Sequence, residues 1–358
     1  MKFANNIRTL CYGLVLLASL LTARVHGEAS TQDSNGHVFL QGENIAEFVT
    51  IVRKFNGNIS LIVTDEFNST KRYHTYANVT SVSLFLGDGD DTVTISGNVP
   101  INGDLNVHFR DGNNVFQSRP SHSDSLSVAG DFTLTAGEDG INEIEFSNER
   151  DSLSVGGDLD FDTGPFGIAR IKIGNCTVEG NCTIQTGAGL DSVTLGINQN
   201  GSSQIDGIST RGNLTIHTGN QGHADFVVVH FCSIGKGLSI TTGIGDDQVT
   251  FSDTDVFGKT TIKAGRDEDL IGFFNSNFYG DLLVDAGGGH DIVNISGSRV
   301  VRSTQILLKN GDDELFMANS SFDLTTVVHG GNNFDTGMEI NCTFGRGLLG
   351  LFMEDANF

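Results

Sequence analysis

The sequence predicts an all-β protein, a right-handed parallel β-helix (a solenoid) with about 22 residues and three short strands per coil. Four aspartates, Asp247, Asp269, Asp291 and Asp313, recur at intervals of 22 residues, each at the same place in the same motif. A fixed period of this length is typical of a repeat architecture, in which each repeat buries its apolar face by stacking on its neighbours. The 46 glycines and 3 prolines, with no tryptophan, also indicate a chain rich in turns and poor in helix.

The coil that begins near Gly237 shows the predicted strands most clearly. Leu238 and Ile240 alternate with polar residues, the turn TGIGDD follows, and Val249 and Phe251 alternate in the same way. A third short pair precedes the next coil. Alternation with a period of two is the signature of a half-buried strand. The same template recurs along the chain for roughly eleven coils, with inserted residues near 198–206.

The first 27 residues are predicted to be an export signal. Lys2 and Arg8 supply the positive charge, and the apolar run Cys11–Leu21 is too short to span a bilayer comfortably. An uncleaved membrane anchor is the alternative. No later segment has the length of a transmembrane helix, so we expect no transmembrane segment in the mature chain. The expected location is therefore secreted, either extracellular or on the cell surface.

The rest of the chain is divided by the presence of the glycine-aspartate motif. A solenoid exposes strand edges at both ends, and these edges need caps. Residues 28–83 contain strand-like runs without the motif, and residues after 347 begin with an apolar string. The predicted segments are a signal peptide at 1–27, an N-terminal capping region at 28–83, β-helix repeats at 84–347, and a C-terminal cap or tail at 348–358.

The balance of charge excludes several classes of partner. The chain carries 44 acidic against 21 basic residues, a net charge of −23. Removing residues 1–27 takes away three basic residues and no acidic one, which makes the net charge −26. Such a surface opposes binding to nucleic acid, to anionic membranes and to polyanionic substrates. It favours association with divalent cations.

The recurring aspartates are the candidate site, with two alternatives for their role. Asp247 shares parity with the inward-facing Val249, so its side chain is expected to point into the turn and to accept hydrogen bonds from turn amides. Asn114 and Asn333 are expected to fill the same position in their coils, which favours hydrogen bonding. Alternatively, stacked carboxylates repel one another, and calcium held between them would relieve this. The candidate calcium ligands are Asp91, Asp191, Asp247, Asp269, Asp291 and Asp313.

The turns that carry these aspartates resemble a known calcium-binding motif. Gly87, Gly89, Asp91 and Val93 form the pattern G-x-G-x-D-x-V, and three later turns match it equally well. This pattern resembles half of the calcium-binding nonapeptide of RTX toxins and proteases. The mature chain as a whole resembles bacterial secreted parallel β-helix repeat proteins with RTX-like, hemolysin-type turns. The resemblance implies calcium as a cofactor and a cell-surface, matrix or adhesion-type role, although the motif never occurs here in tandem.

The alternative function is that of a polysaccharide-active β-helix enzyme, a lyase or a glycoside hydrolase. Arg170-Ile171-Lys172 looks like the R-I-K motif of polygalacturonases, but the N-T-D and G-H-G motifs of that family are missing. Carboxylates occur in almost every coil, so none is singled out as a catalytic pair. We therefore expect a non-enzymatic solenoid. Its partner is unknown, with cell-surface components or carbohydrate as the expected classes.

Two further patterns predict packing. Cys176 and Cys232 occupy equivalent places two coils apart, beyond the reach of a disulfide, so buried unpaired cysteines are expected. In the C-terminal coils the outward positions become apolar. The prediction is that the C-terminal tail covers them, and a partner or self-association surface is the alternative. These positions are Leu270, Ile292 and Phe316 on one face, and Leu283, Leu307 and Val327 on another.

Overall fold

A computed structural model describes most of the chain. The described residues are 29–65, 71–119, 124–147, 151–199, 203–205, 207–220, 222–351 and 355–357. The predicted signal peptide at 1–27 lies outside them. Among the described residues no helix is long and apolar enough to span a bilayer.

The described residues form 42 strands. The first six are β1 (Ala29–Gln32), β2 (His37–Gln41), β3 (Glu47–Arg53), β4 (Ile59–Asp65), β5 (Arg72–Tyr76) and β6 (Ser81–Phe85). The middle of the chain contains β7 (Thr92–Ser96), β8 (Asn98–Ile101), β9 (Leu105–His108), β10 (Asn114–Ser118), β11 (Ser125–Val128), β12 (Phe132–Thr135), β13 (Ile141–Phe146), β14 (Ser152–Val155), β15 (Leu159–Asp162), β16 (Ile168–Ile173), β17 (Cys176–Val178), β18 (Cys182–Gln185), β19 (Ser192–Leu195), β20 (Ile197–Gln199), β21 (Ser203–Ile205), β22 (Ile208–Thr210), β23 (Leu214–His217), β24 (Phe226–His230) and β25 (Ser233–Ile234). The C-terminal coils contain β26 (Leu238–Ile244), β27 (Gln248–Ser252), β28 (Asp255–Val256), β29 (Thr260–Arg266), β30 (Leu270–Phe274), β31 (Asn277–Phe278), β32 (Leu282–Gly288), β33 (Ile292–Ser296), β34 (Arg299–Val300), β35 (Thr304–Asn310), β36 (Glu314–Ala318), β37 (Ser321–Phe322), β38 (Thr326–Asn332), β39 (Thr336–Ile340), β40 (Thr343–Phe344), β41 (Leu348–Leu351) and β42 (Asp355–Asn357).

These strands build a β-solenoid of about 11 turns of about 23 residues, which confirms the predicted fold class. Each regular coil contributes one strand to each of three sheets. Sheet A has 14 strands, sheet B has 15 and sheet C has 11. Successive coils pair in parallel; for example, Val249 of β27 pairs with Ile271 of β30, and Ile271 with Val293 of β33. The predicted insertion is present as the antiparallel hairpin β20–β21.

The two ends of the solenoid differ. At the N-terminal end, β2 and β3 already pair in parallel with β6 and β7, whereas β1, β4 and β5 join antiparallel at the sheet edges. At the other end β41 extends sheet A, and β42 extends sheet B by pairing Asp355 with Thr336. The prediction that the tail covers the outward apolar residues is wrong, because these strands continue the sheets and Leu270 and Ile292 stay 40% exposed.

The core is a set of columns that run along the solenoid axis. Inward-facing residues of all three sheets are buried, and aromatic residues of neighbouring coils stack inside. The rings of Phe251 and Phe273 lie 5.1 Å apart and almost parallel, and both pack edge-on against Phe278. Such pairs add to the stabilisation from burial alone. Because each coil buries its apolar residues mainly against adjacent coils, stacking supplies the stability.

The turns between sheets are tight enough to require particular residues. Gly287, in the turn from sheet A to sheet B, has φ +118°, and a Cβ atom there would lie 2.0 Å from the carbonyl oxygen of Gly265. Glycine takes this conformation and close approach with the least strain, and Lys309 takes φ 79° at the equivalent position of the next coil. Between sheets B and C the left-handed conformation is taken instead by residues such as Asn175 (φ 48°), Asn275 (φ 50°) and Asn319 (φ 49°). Asparagine tolerates this region better than most residues.

Candidate functional site

The six predicted aspartates lie in one column, at the turn from sheet A to sheet B. Each directly precedes a strand of sheet B, and the strands stack in register, so the aspartates stack as well. Every one of these side chains is buried, with at most 2% exposed. We call this set the aspartate column. It comprises Asp91, Asp191, Asp247, Asp269, Asp291 and Asp313, together with the residues that occupy the same position in other coils.

The column is held together by a ladder of hydrogen bonds between coils. The backbone N–H of Asp225 donates to Oδ1 of Asp247 at 2.8 Å, and the N–H of Asp247 donates to Oδ1 of Asp269 at 2.9 Å. The next two steps, from Asp269 to Asp291 and from Asp291 to Asp313, measure 3.0 and 2.8 Å. The donor is thus the equivalent amide of the preceding coil. The expectation that these aspartates accept hydrogen bonds from turn amides is confirmed, and the structure adds that the amides belong to the neighbouring coil and point along the solenoid axis.

Several members of the column were missed by sequence reasoning. Asn114 was predicted correctly: it is buried and accepts from the N–H of Asp91 at 3.2 Å. The prediction for Asn333 was wrong, because this side chain is exposed. The buried member of that coil is Asp335, two residues later, which accepts from the N–H of Asp313. Counting 22 residues on from Asp313 would have found it. The other missed members are Glu47, Asn142 and Asp225, and Ala169 stands in the column without a polar side chain.

The second, outward acid of each Asp-Asp pair has its own structural role. Oδ1 of Asp246 accepts from the N–H of Glu268 at 3.0 Å, and Oδ1 of Asp312 accepts from the N–H of Phe334 at 3.0 Å. These donors belong to the following coil, whereas the buried acid accepts from the preceding coil. The two adjacent carboxyls therefore join a coil to both of its neighbours.

A further ladder lies at the turn from sheet C to sheet A. Oδ1 of Asp104 accepts from the backbone N–H of Asp131 at 3.0 Å. In the same way, Oδ1 of Asp131 accepts from the N–H of Asp158 at 2.8 Å, and Oδ1 of Asp158 accepts from the N–H of Asn181 at 2.7 Å. These side chains are mostly exposed. The signal for this ladder is present in the sequence as a recurring Gly followed by Asp or Asn and an apolar residue.

The turn from sheet B to sheet C carries a column of hydroxyls and thiols. The N–H of Thr254 donates to Oγ of Ser276 at 3.2 Å, and Ser276 donates in the same way to Ser298. Cys232 occupies this column, and its Sγ accepts from the N–H of Ile208 at 3.3 Å.

Cys176, Cys182 and Cys232 are buried free thiols, as predicted. Burial raises the pKa of Cys232 to about 12, which leaves its thiol protonated and unreactive.

The second carboxyl oxygen distinguishes the column from an ordinary turn. Oδ2 of Asp269, Asp291 and Asp313 is buried and has no hydrogen-bond partner, as is also the case for Asp91 and Asp247. Asp191 differs, because the hydroxyl of Thr186 donates to its Oδ2 at 2.6 Å. The coils of Asp269 and Asp291 have alanine where that threonine stands. A buried carboxylate oxygen without a donor strongly disfavours the charged form.

The pKa values reflect this environment. Burial, together with the stacked carboxyls of Asp291 and Asp247, raises the pKa of Asp269 to about 8 against the lowering effect of the Asp247 amide. Burial likewise raises the pKa of Asp313 to about 7 and that of Asp291 to about 6. Neighbouring carboxyls in one column cannot all be charged at low cost. The stack is therefore held largely as neutral acids below these values.

The geometry fits calcium poorly. Calcium sites use six to eight oxygen ligands, usually with several carboxylates converging on one ion. In the column each Oδ1 already accepts a backbone amide, and successive carboxyls are separated by a whole coil. No group of three or more His, Cys, Asp or Glu side chains in the described parts of the chain is placed to hold a metal ion. Calcium binding by the six aspartates stays a prediction.

The R-I-K string belongs to the surface of sheet B. Ile171 is buried, and Arg170 and Lys172 point outward to Glu143 and Glu145 on the neighbouring strand. Arg170 Nη1 lies 2.9 Å from Glu143 Oε1, and Lys172 Nζ lies 3.9 Å from Glu145 Oε1. These are cross-strand ion pairs of exposed side chains, which contribute little to stability.

Comparison with known proteins adds no identification. No family model matches the chain, and neither a curated protein nor a solved structure shows significant similarity to it. The class is therefore defined by the fold alone, as a parallel β-solenoid with polar ladders at its turns. The resemblance to RTX-like repeat proteins rests on the turn motif and stays an expectation.

We expect the protein to lose stability as the pH rises from about 5 to 8.5. An unfolded aspartate has a pKa of about 3.9, so between this value and the raised native values of about 6 to 8 the folded state holds more protons. The stabilisation from these carboxyls is then complete only below the unfolded pKa of about 3.9, falls as the pH rises from there through the native pKa values, and is lost above them. Thermal melting across this range measures the effect.

A pair of variants isolates the contribution of the column. Asp291→Asn keeps the Oδ1 acceptor and removes the titrating group, as Asn114 and Asn142 do naturally. We expect a smaller dependence of Tm on pH, with a higher Tm than wild type at pH 8.5. Asp312→Asn, at the exposed neighbouring position in the following coil, should leave the pH dependence unchanged. If Tm changed with pH equally in both variants and in the wild type, the result would contradict the role given to the column.

Proposed function

We propose that the protein is a secreted, acidic, non-enzymatic β-solenoid with a cell-surface or extracellular role of a structural or adhesion type. The observation that carries this proposal is an exposed apolar area on the outer face of sheet B in the C-terminal coils. We call it the sheet B patch. It consists of Leu270, Phe274, Ile292, Phe316, Met338 and Ile340.

The sheet B patch extends over four coils as two in-register pairs, which are diagonal neighbours because Ile292 itself pairs with Glu314 and Phe316 with Asn294. Leu270 pairs in register with Ile292, and Phe316 pairs with Met338. Leu270 and Ile292 are each 40% exposed, and Met338 is 47% exposed. The ring of Phe274 lies over Gly272, where an added Cβ atom would come within 2.6 Å of the ring. The backbone of this coil is thus covered by an aromatic ring on its solvent side.

Earlier coils of the same sheet present a different surface. Most of their outward positions carry polar residues such as Thr92, Thr94, Ser192 and Thr194, with Phe48 and Phe226 as exposed aromatic exceptions. Solvent-facing strand positions are normally polar, and a contiguous apolar area on a soluble protein marks an interaction surface. The contrast along one sheet supports a rigid scaffold with an adhesive region toward its C-terminal end.

The carboxyls of the aspartate column hold the coils together, and this structural use supports a non-enzymatic role. Glycoside hydrolysis needs two carboxyls facing one substrate, one of them with a raised pKa. In the aspartate column the carboxyls with raised pKa values are buried inside the turns, and their Oδ1 atoms accept amides along the solenoid axis. Asp160, whose pKa is raised by partial burial and by the nearby Asp162 and Asp158, is instead on the outer face of sheet A. The R-I-K string is held in ion pairs with Glu143 and Glu145. A polysaccharide-active enzyme is the alternative function.

Surface binding tests the proposed role. The double variant Leu270→Thr/Ile292→Thr replaces two exposed aliphatic residues by the type found in earlier coils, so we expect unchanged circular dichroism. Binding of the labelled protein to the surface of its source cells should fall at least about tenfold, equivalent to about 1.4 kcal/mol. Leu190→Thr, which removes an equally exposed leucine from a turn outside the patch, is the matched control.

Two outcomes would overturn the proposal. Equal binding of the double variant, the control and the wild type would mean that the sheet B patch is not the adhesive surface. Release of reducing sugars or unsaturated products from a polysaccharide by the purified protein would establish the enzyme instead.

Calcium is the second part of the proposed function that awaits a test. We propose that protons, and not calcium, neutralise the aspartate column. Each coil supplies only one unpartnered Oδ2 atom, and successive Oδ2 atoms are separated by a whole coil. Melting at pH 8 in EDTA should therefore give nearly the same Tm as melting in millimolar calcium. A ligand that binds only the folded state, at a concentration of 100 times its Kd, would add about 2.7 kcal/mol to the free energy of unfolding. A large rise in Tm with calcium that is absent in Asp291→Asn would place calcium in the column.

A further inference from the structure

A groove of about 490 Å³ lies where the outer face of sheet A meets the turns that lead to sheet B. It is separate from the sheet B patch, and it adjoins the aspartate column at Thr186, whose hydroxyl donates to Asp191. Its volume is within the range of sites that bind small molecules. The groove is lined by Pro165, Phe166, Gln185, Thr186, Gly187, Ala188, His217, Gly219, Asn220 and Thr241.

The floor of the groove is a row of polar side chains on sheet A. Gln185, His217 and Thr241 come from three successive strands and pair in register, Gln185 with His217 and His217 with Thr241. Strands in a sheet are about 4.8 Å apart, so these groups repeat along the solenoid axis at that spacing. The side chains of Gln185 and His217 are exposed. The floor therefore offers an amide, an imidazole and a hydroxyl in a straight line.

The wall of the groove is aromatic. Phe166 is 60% exposed and stands on the turn after Gly164, which takes φ +86°. The next coil's turn packs directly beneath, since a Cβ atom on Gly187 would lie 2.7 Å from the carbonyl carbon of Pro165. This packing fixes the turn that carries Phe166. The ring is thus presented to solvent from a fixed backbone, although burying it elsewhere would have been favourable.

We propose that this groove binds a neutral oligosaccharide. A flat ring supplies a stacking surface for the apolar face of a sugar, and amide, imidazole and hydroxyl groups can both donate to and accept from sugar hydroxyls. The lining contains no carboxylate, lysine or arginine side chain. The net charge of −23 opposes a polyanionic glycan. In this arrangement Phe166 stacks on one sugar unit, and Gln185 and His217 bind the hydroxyls of that unit and the next.

The inference rests on the proposed non-enzymatic function, and it names a ligand class for it. A groove with an aromatic wall and uncharged polar groups can bind a glycan, whereas hydrolysis needs a pair of carboxyls at the bond. The sugar would therefore be held and not cleaved. Because the groove and the sheet B patch lie on different sheets, one protein could bind a glycan and a second surface at the same time.

Isothermal titration of the secreted full chain tests the groove directly. The probes are cellohexaose, chitohexaose and laminarihexaose, with hexagalacturonate as the anionic comparison. We expect saturable binding of at least one neutral probe and none of the anionic one. Phe166→Ala should weaken binding about tenfold or more, and Gln185→Ala should weaken it to a smaller extent. Phe257→Ala removes a phenylalanine that is 52% exposed on another turn and should leave the affinity unchanged.

The results separate this inference from the proposed function. Loss of affinity in Phe166→Ala with an unchanged melting curve supports the groove. Equal affinities in the Phe166 and Phe257 variants, binding of a peptide in place of all three neutral probes, or no binding at all would overturn it. Leu270→Thr/Ile292→Thr should bind the glycan as the wild type does. If the groove fails while that double variant still loses cell binding, the adhesion role stands without the glycan site.

Discussion

The structure depends on how each coil satisfies the amides and carbonyls of its turns. Parallel strands bond to the next coil along most of their length, but at the corners the ladder would leave buried amides without acceptors, at a cost of about 1–3 kcal/mol each. Side-chain oxygens fill these places. Carboxyls do so between sheets A and B, hydroxyls and a thiol between B and C, and Asp or Asn between C and A. The polar residues of the repeat are thus structural connectors between coils.

This solution creates a charge problem. A carboxyl is a good acceptor, but it carries a second oxygen, and in the coils of Asp269, Asp291 and Asp313 that oxygen is buried without a donor. The coil of Asp191 resolves the problem with the hydroxyl of Thr186, and the coils with Asn114 and Asn142 avoid it by using an amide. Raised pKa values are the remaining solution, because a neutral acid keeps the acceptor and loses the charge.

The proposed surface functions belong to residues that the stacking of the coils does not require. The residues of the sheet B patch, and Phe166, Gln185 and His217 of the groove, are outward side chains, which a solenoid can vary without disturbing its core. The rigid backbone beneath them fixes their spacing at one strand separation. The fold provides the spacing, and the outward residues decide what is bound.

Much of the fold could be predicted from the sequence, because period-2 alternation and the 22-residue spacing of Asp247, Asp269, Asp291 and Asp313 are properties of single residues in order. The direction of the aspartate hydrogen bonds could not, since the donor lies one coil away. Asp225 was missed because extra residues lengthen its turn. The groove could not be predicted either, because Gln185 and His217 are 32 residues apart and are brought together only by the pairing of β18 with β23.

The most direct test of this account is a titration of the aspartate side chains by carbon NMR, with the carboxyl carbons labelled. If the column is buried and neutralised by protons, a group of carboxyl signals will titrate between pH 6 and 8, and the signal of Asp291 will disappear in Asp291→Asn. An aspartate of an unfolded chain titrates near 3.9. Titration of every aspartate near that value, in a folded protein, would show that the column is charged and that another interaction holds the coils together.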